Sequence, residues 1–387
     1  MKKILLSAIA VFAMTTNLFA QSWKMTVTLN DGTTQEFQTS AVKNVTFEEL
    51  KDQNVDQVII KELYYGGVML DDGSKNFHMD KCIVLYNNCS QRAVINNLCI
   101  GSAPQFNAEA GTMSDLYDGD KLVYDGQGYI PAVNGIWYFQ GALVIEPYSQ
   151  IVINIHGAID NTQTVTNSVN YANKDYYCMY DPDYVTEDVT VASARSYNNT
   201  TYYPAPADVI PTSHYLKTIK YGQANAWTYS SLSPATMLFQ AKDVDIKEYF
   251  ENSDNYWYAP GRATTPVWRS AKVPNEWILD GVEAYNAAKI DASKKRLTAD
   301  IDAGYAALTN QLGHVLYRNV DKAATEALPE NEGKLVYQYA LGVDSSTDPS
   351  GIDAEASMKN GAHIIFQDTN NSTADFHERQ KCSLRGE

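Results

Sequence analysis

Apolar residues in this chain fall in short runs broken by Gly, Pro, Asn and Asp, and few runs carry a helical period. Met25-Thr26-Val27-Thr28-Leu29 alternates as a strand does. Asn30-Asp31-Gly32 supplies a tight turn, and Glu36-Phe37-Gln38 and Val45-Thr46-Phe47 add short strands. Residues 21–47 therefore predict a small β-hairpin unit. Residues 48–56 are polar and acidic and read as a linker.

A larger unit spans residues 57–387. Residues 57–65 open it as a strand that ends at Gly66-Gly67. Residues 82–87 and 93–100 read as the two arms of a hairpin turning through residues 88–92. In the first arm Ile83 and Leu85 share one face and Val84 takes the other. Residues 136–139 predict a strand or core plug, and residues 143–155 a strand–turn–strand around Pro147. Residues 285–310 have the most helix-like composition, with Asp302-Ala303-Gly304 keeping any helix short. Residues 352–359 predict one further short helix. About residues 102–135 and 157–260 read as loop-rich insertions. Strand signals dominate, so the expected class is a mainly β sandwich.

Residues 1–20 read as a secretory signal: Lys2 and Lys3, an apolar run from Ile4, then Leu18-Phe19-Ala20. The run is short for a bilayer span, no Cys follows the cleavage point, and no later segment approaches a transmembrane length. Removing it takes away Lys2 and Lys3 and no acid, which moves the net charge from −16 to −18. That field repels phosphate backbones and argues against nucleic-acid binding.

Five Cys is an odd number, so at least one is unpaired within a monomer. Cys82 and Cys99 lie on the two arms of the expected hairpin. They are the candidate disulfide if their Cα atoms come within about 7 Å. Buried free thiols are the alternative.

Residues 171–258 hold 14 of the 27 Tyr of the chain. Tyr176, Tyr177, Tyr180, Tyr202, Tyr203, Trp227 and Trp257 are the candidate binding surface. Such rings give rigid contact area with a polar tip, which suits sugars and protein partners. They also suit packing of the insertion onto a sheet. Asp368, Asn370 and Ser372 have the 1-3-5 oxygen spacing of a calcium loop. That loop lacks Gly at position six and has Arg379 where an EF-hand needs Glu. Asp344, Asp348, Asp353 and Glu355 cluster nearby. Solvated loops capped by Asp and Asn fit the same residues. Catalytic motifs are missing: there is no G-x-S-x-G, no H-E-x-x-H and no phosphate loop. His156 and the His377-Glu378 pair read as hydrogen-bonding residues rather than bases.

Ile83-Val84-Leu85-Tyr86-Asn87 resembles the "IELYN" strand of the lamin-tail domain, with Val84 where that family usually has Glu. Residues 368–376 resemble the "DTN…ADF" ending of bacterial lamin-tail domains, and residues 277–282 its late core strand. Roughly residues 55–385 also resemble secreted gut-bacterial proteins of unknown function that carry this domain with long insertions. The resemblance implies an immunoglobulin-like, lamin-tail-like sandwich and an exported chain, in the periplasm, on the outer-membrane surface or outside the cell. It supplies no activity. The expected role is a non-catalytic binding or accessory protein of the cell envelope. Its partner would be an outer-membrane or cell-surface protein, or a glycan, and it would use no cofactor other than calcium. The alternative is a secreted hydrolase that cleaves polysaccharide with paired carboxylates.

Overall fold

The computed structural model describes residues 23–28, 33–183, 204–222 and 229–385. The expected signal and the Asn30-Asp31-Gly32 turn lie outside them. The chain divides into two compact units, Met1–Glu49 and Leu50–Glu387. In the first, strands β1 (Lys24–Thr28) and β2 (Thr34–Gln38) pair antiparallel, with Lys24 opposite Gln38.

The second unit is mainly β and is organised by two six-stranded sheets. Its strands are β3 (Val58–Tyr64), β4 (Cys82–Asn87), β5 (Leu98–Ser102), β6 (Gly135–Tyr138), β7 (Gln150–Asn154) and β8 (Tyr177–Cys178), followed by β9 (Lys217–Lys220), β10 (Ala235–Gln240), β11 (Ile278–Asn286), β12 (Ala306–Leu308), β13 (Val315–Arg318) and β14 (Phe376–Arg379). One sheet has the order β8-β7-β4-β3-β13-β14, the other β9-β6-β5-β10-β11-β12. Neighbours pair antiparallel except β7 with β8 and β11 with β12, which are parallel.

The strand sequences explain the layering. β4 is Cys-Ile-Val-Leu-Tyr-Asn and is buried at every position. Alternation sends Ile83 and Leu85 into a central core with Ile60, Leu63, Ile153 and Leu316 of the same sheet and Ile100, Trp137, Leu238 and Val282 of the other. The two sheets therefore face one another across that core. Cys82, Val84 and Tyr86 point the opposite way, into an outer core closed by Ile352, Ile364, Phe366 and Cys382. The far face of the second sheet is covered as well, with Ile136, Met237 and Phe239 packed against Met113, Leu116, Tyr124 and Trp257. Strands covered on both faces read as near-continuous apolar runs rather than as alternation.

The expected hairpin of residues 82–87 and 93–100 does not form. β4 pairs with β3 and β7. Ala93–Ile95 pairs with Leu143–Ile145, and β5 lies in the other sheet between β6 and β10. The chain crosses between sheets at Asn96-Asn97, where Asn97 takes a left-handed φ of 53°. Residues 285–310 are also not a helix. They finish β11, make a 3₁₀ turn at Ala287–Ala292 capped by the Asn286 side chain, and form β12. Among the short helices, α1 (Lys322–Glu326), α2 (Ala354–Lys359) and α3 (Ser372–Asp375) lie on the C-terminal side. Each starts on an Asp or Asn side-chain cap: Asp321, Asp353 and Asn371.

Buried charge links the two sheets. The Arg318 guanidinium on β13 reaches Asp280 on β11. It also donates to the Ile60 carbonyl at 2.8 Å and to Asp368 Oδ1 at 3.0 Å. Asp280 Oδ2 accepts in turn from the Ile60 N–H at 2.7 Å. Burial pushes Asp280 up to about 6, against the pull of Arg318.

Candidate functional site: an aromatic face on an edge strand

β8 is the edge strand of the first sheet. By alternation Tyr177 and Met179 point to one side of the strand and Cys178 and Tyr180 to the other. Cys178 is buried with Ala158 and Ile210, and Met179 lies in the central core. Tyr177 and Tyr180 remain half-exposed. Residues 212–216 run beside this edge. Cys178 and Tyr215 form a parallel bridge, and the Leu216 N–H donates to the Cys178 carbonyl at 2.9 Å.

That pairing assembles two groups of rings along the edge. The His214 ring stacks on Tyr177 with centroids 4.1 Å apart, and Phe139 meets Tyr177 edge-on at 5.1 Å. Tyr215 meets Tyr180 edge-on at 5.5 Å. Polar contacts hold the backbone beneath them. Gln140 Nε2 donates to the carbonyls of Thr212 and Tyr215, both at 2.7 Å. His214 Nδ1 lies 3.1 Å from the Tyr176 carbonyl. Burial lowers the His214 pKa, so at neutral pH the ring is uncharged and Nδ1–H donates in that contact. Burial raises the phenols of Tyr177, Tyr180 and Tyr215, which stay protonated donors. Lys217 forms a rim by bridging Asp181 at 3.0 Å and Asp183 at 2.7 Å. The face thus offers flat apolar ring surface, hydroxyl groups and a charged edge.

The structure sorts the sequence candidates. Tyr177 and Tyr180 lie on this face. Tyr176 is also half-exposed but packs toward the outer core of β4. Trp257 is at 9% exposure inside the core over the second sheet, edge-on to Tyr124 at 5.6 Å. It is a packing residue and not part of the aromatic face. Tyr202, Tyr203 and Trp227 lie outside the described residues. His214 and Tyr215 complete the half-exposed edge, and Phe139, buried in the central core, supports Tyr177 from beneath. Their only sequence signal is a His-Tyr pair shortly after Pro211 and an aromatic residue ending a strand.

The candidate calcium residues point to separate partners. Asp368 accepts from Arg318. Ser372 Oγ donates to Asp302 Oδ2 at 2.6 Å, and Asn370 takes a left-handed φ of 54° while its carbonyl accepts from the Ala303 N–H. The neighbouring acids are also engaged. Asp348 accepts from the Val320 N–H, Asp353 caps α2, and Glu355 binds Lys61 at 2.6 Å. Among the described residues no three His, Cys, Asp or Glu side chains converge as a metal cage. Cys82 and Cys99 are both free thiols in different cores, on strands of different sheets, so the hairpin geometry that would bridge them is not present. His377 lies between Tyr339 Oη at 2.6 Å and Asn319 Oδ1 at 2.7 Å, and burial lowers its pKa to about 3. It is a neutral ring held from both sides.

Fold and face together define a mainly β protein with two facing sheets, both outer faces covered, and an aromatic patch on one sheet edge. Residues 146–383 match the sequence profile of DUF4876, a family of proteins of unknown function. The match spans more than half of the chain, and the chain belongs to that family. Among solved structures it is similar to the crystal structure of a DUF4876 family protein from Bacteroides thetaiotaomicron. The identity is 17%, the TM-score 0.56, and the similarity covers 93% of this chain and 83% of that one. At that identity the likeness shows the fold. No curated protein matches the chain. Among the described residues no helix is long and apolar enough to cross a membrane.

Proposed function

We propose that this chain is an exported binding protein of the bacterial cell envelope, and that the sheet edge carrying Tyr177, Tyr180, His214 and Tyr215 engages its partner. The observation that carries the reading is the cross-strand assembly of rings from two distant segments on a half-exposed sheet edge. Rings fixed by packing lose little conformational freedom on binding, so their contact area converts efficiently into affinity. Hydroxyls and the Lys217 rim add direction. Export is supported by the leader-like composition of residues 1–20. A lamin-tail-like sandwich is supported by the Ile83–Asn87 run and by two sheets around a shared core. The partner chemistry is a glycan or an outer-membrane or cell-surface protein.

The hydrolase alternative asks for two carboxylates facing a cleft at a separation suited to glycoside cleavage. The buried Asp280 and Asp375 and the exposed Asp368 instead surround one guanidinium. This favours the binding reading. The test is a glycan-array and envelope-extract binding screen with the native chain and a Tyr180→Ala, Tyr215→Ala variant. Retained folding with lost binding supports the proposal. Equal binding by both proteins refutes this face as the site.

A further inference from the structure

The odd thiol count has a structural answer that differs from the expected pair. Cys82 begins β4 and Cys382 lies near the C-terminus, yet both are fully buried in the same outer core. Cys82 is among the groups that act on the Cys382 thiol, after burial itself. Tyr171 is buried in the same core, and Tyr176 packs against it.

The segment that carries Cys382 is anchored over β4 by polar contacts on the neighbouring strand. The Ser383 N–H donates to Glu62 at 3.0 Å, and its hydroxyl also reaches Glu62. Arg385 donates to Tyr64 Oη at 2.5 Å and to Asp80 at 3.0 Å. Tyr64 is directly opposite Cys82 in the β3–β4 register. Leu384 packs against the same core. Residues 383–385 therefore hold Cys382 over the strand pair that carries Cys82.

We propose that Cys82 and Cys382 form a disulfide under oxidising conditions, tying the C-terminal segment to the sheet. The oxidant is a disulfide, either a thiol–disulfide oxidoreductase or a small-molecule disulfide. One thiol loses its proton and attacks the oxidant, giving a mixed disulfide and releasing one thiol. The second then displaces the oxidant's remaining sulfur. Two protons and two electrons leave the protein, and the oxidant is reduced to two thiols.

Burial holds the Cys382 thiol well above its ordinary pKa and keeps it protonated. Exchange therefore takes place before the C-terminal segment docks, and the finished bridge is shielded from reductant. Cys99 is in another core with its thiol on the Asn97 carbonyl, Cys178 is buried beside Ala158 and Ile210, and Cys89 faces Asn87 and Gln91. These three remain reduced.

The test uses the full chain refolded in a buffer of oxidised and reduced glutathione, then denatured, alkylated and digested for mass spectrometry. The proposal expects alkylation at Cys89, Cys99 and Cys178 alone and a linked peptide pair joining Cys82 to Cys382. Reduction is expected to lower the Tm by on the order of 5–10 °C, because the bridge closes a loop of about 300 residues. Cys382→Ala removes that redox dependence. Five alkylated cysteines in folded, oxidised protein would overturn the proposal, as would a linked pair of any other composition. The mass readout on the native chain decides the matter even if a variant fails to fold.

Discussion

The His214 ring lies nearly parallel to Tyr177, with 16° between the planes, although 36 residues separate them in the chain. The contact exists because residues 212–216 add to the sheet edge beside Cys178. Phe139 supports Tyr177 from another direction. Tyr177 is thus both a surface ring and a partner of the central core. Tyr177→Ala is expected to cost about 2–3 kcal/mol of stability, near the low end for a buried aromatic truncation. Tyr215→Ala is expected to cost less than about 1 kcal/mol. Urea unfolding of both variants checks the order.

Trp257 belongs to the core over the second sheet. Removing its ring leaves a cavity against Tyr124. Trp257→Ala is expected to destabilise by about 3–5 kcal/mol and to leave partner affinity of the folded fraction unchanged. An affinity loss without a stability loss would return this residue to the binding surface.

Arg318 and Asp280 connect the two sheets through one buried ion pair. Arg318→Met leaves Asp280 uncompensated at pH 7 and is expected to cost about 3–5 kcal/mol. Asp280→Asn keeps the Ile60 N–H contact and is expected to cost less. Its deficit should grow toward pH 5, because the native Asp280 titrates at about 6, binds its proton more readily folded than unfolded, and so stabilises the native chain as pH falls. Chemical denaturation at pH 5 and pH 7.5 separates the two.

Lys81 is fully buried, with its ammonium on Ser231 Oγ at 2.6 Å and the Tyr229 carbonyl at 3.1 Å. Burial lowers its pKa from 10.5 to about 7. Between those values the unfolded chain holds one more proton than the folded chain. Stability therefore rises with pH across this window. Lys220, lowered to about 8 by partial burial, acts in the same direction. Above pH 10 the buried phenols, such as Tyr124, reverse the trend, because the folded state keeps protons that the unfolded state has lost. Lys81→Met is expected to flatten the rise in Tm between pH 7 and pH 9. An unchanged slope contradicts the assignment.

Much of the strand content was readable because two-sided burial demands runs such as Cys82–Asn87 and Ala235–Gln240. Their partners were not readable. Asn88 to Arg92 looks like a hairpin turn locally, but residues 93–95 and 98–102 join different sheets. Only long-range packing decides that. The Ala-rich stretch after Asn286 has helix-forming residues, yet Lys289 takes φ −137°, ψ 21° there, and the chain returns as β12 beside β11. Tyr177 and Tyr180 were visible through composition. His214 and Tyr215 needed the parallel bridge to Cys178, which has no local sequence pattern. Asp368 matched a calcium spacing, and in the fold it is one of the carboxylates facing Arg318.

The measurement that bears most directly on the central claim is crosslinking of tagged chain on intact envelopes, read by mass spectrometry, with the native protein beside a Tyr180→Ala, Tyr215→Ala variant of matched Tm. The account predicts a dominant partner for the native chain, crosslinks that map to residues 139–140, 176–181 and 212–217, and at least a ~30-fold loss of affinity in the variant, as for a central aromatic hot spot. Equal capture by both proteins, with crosslinks mapping elsewhere, would contradict it.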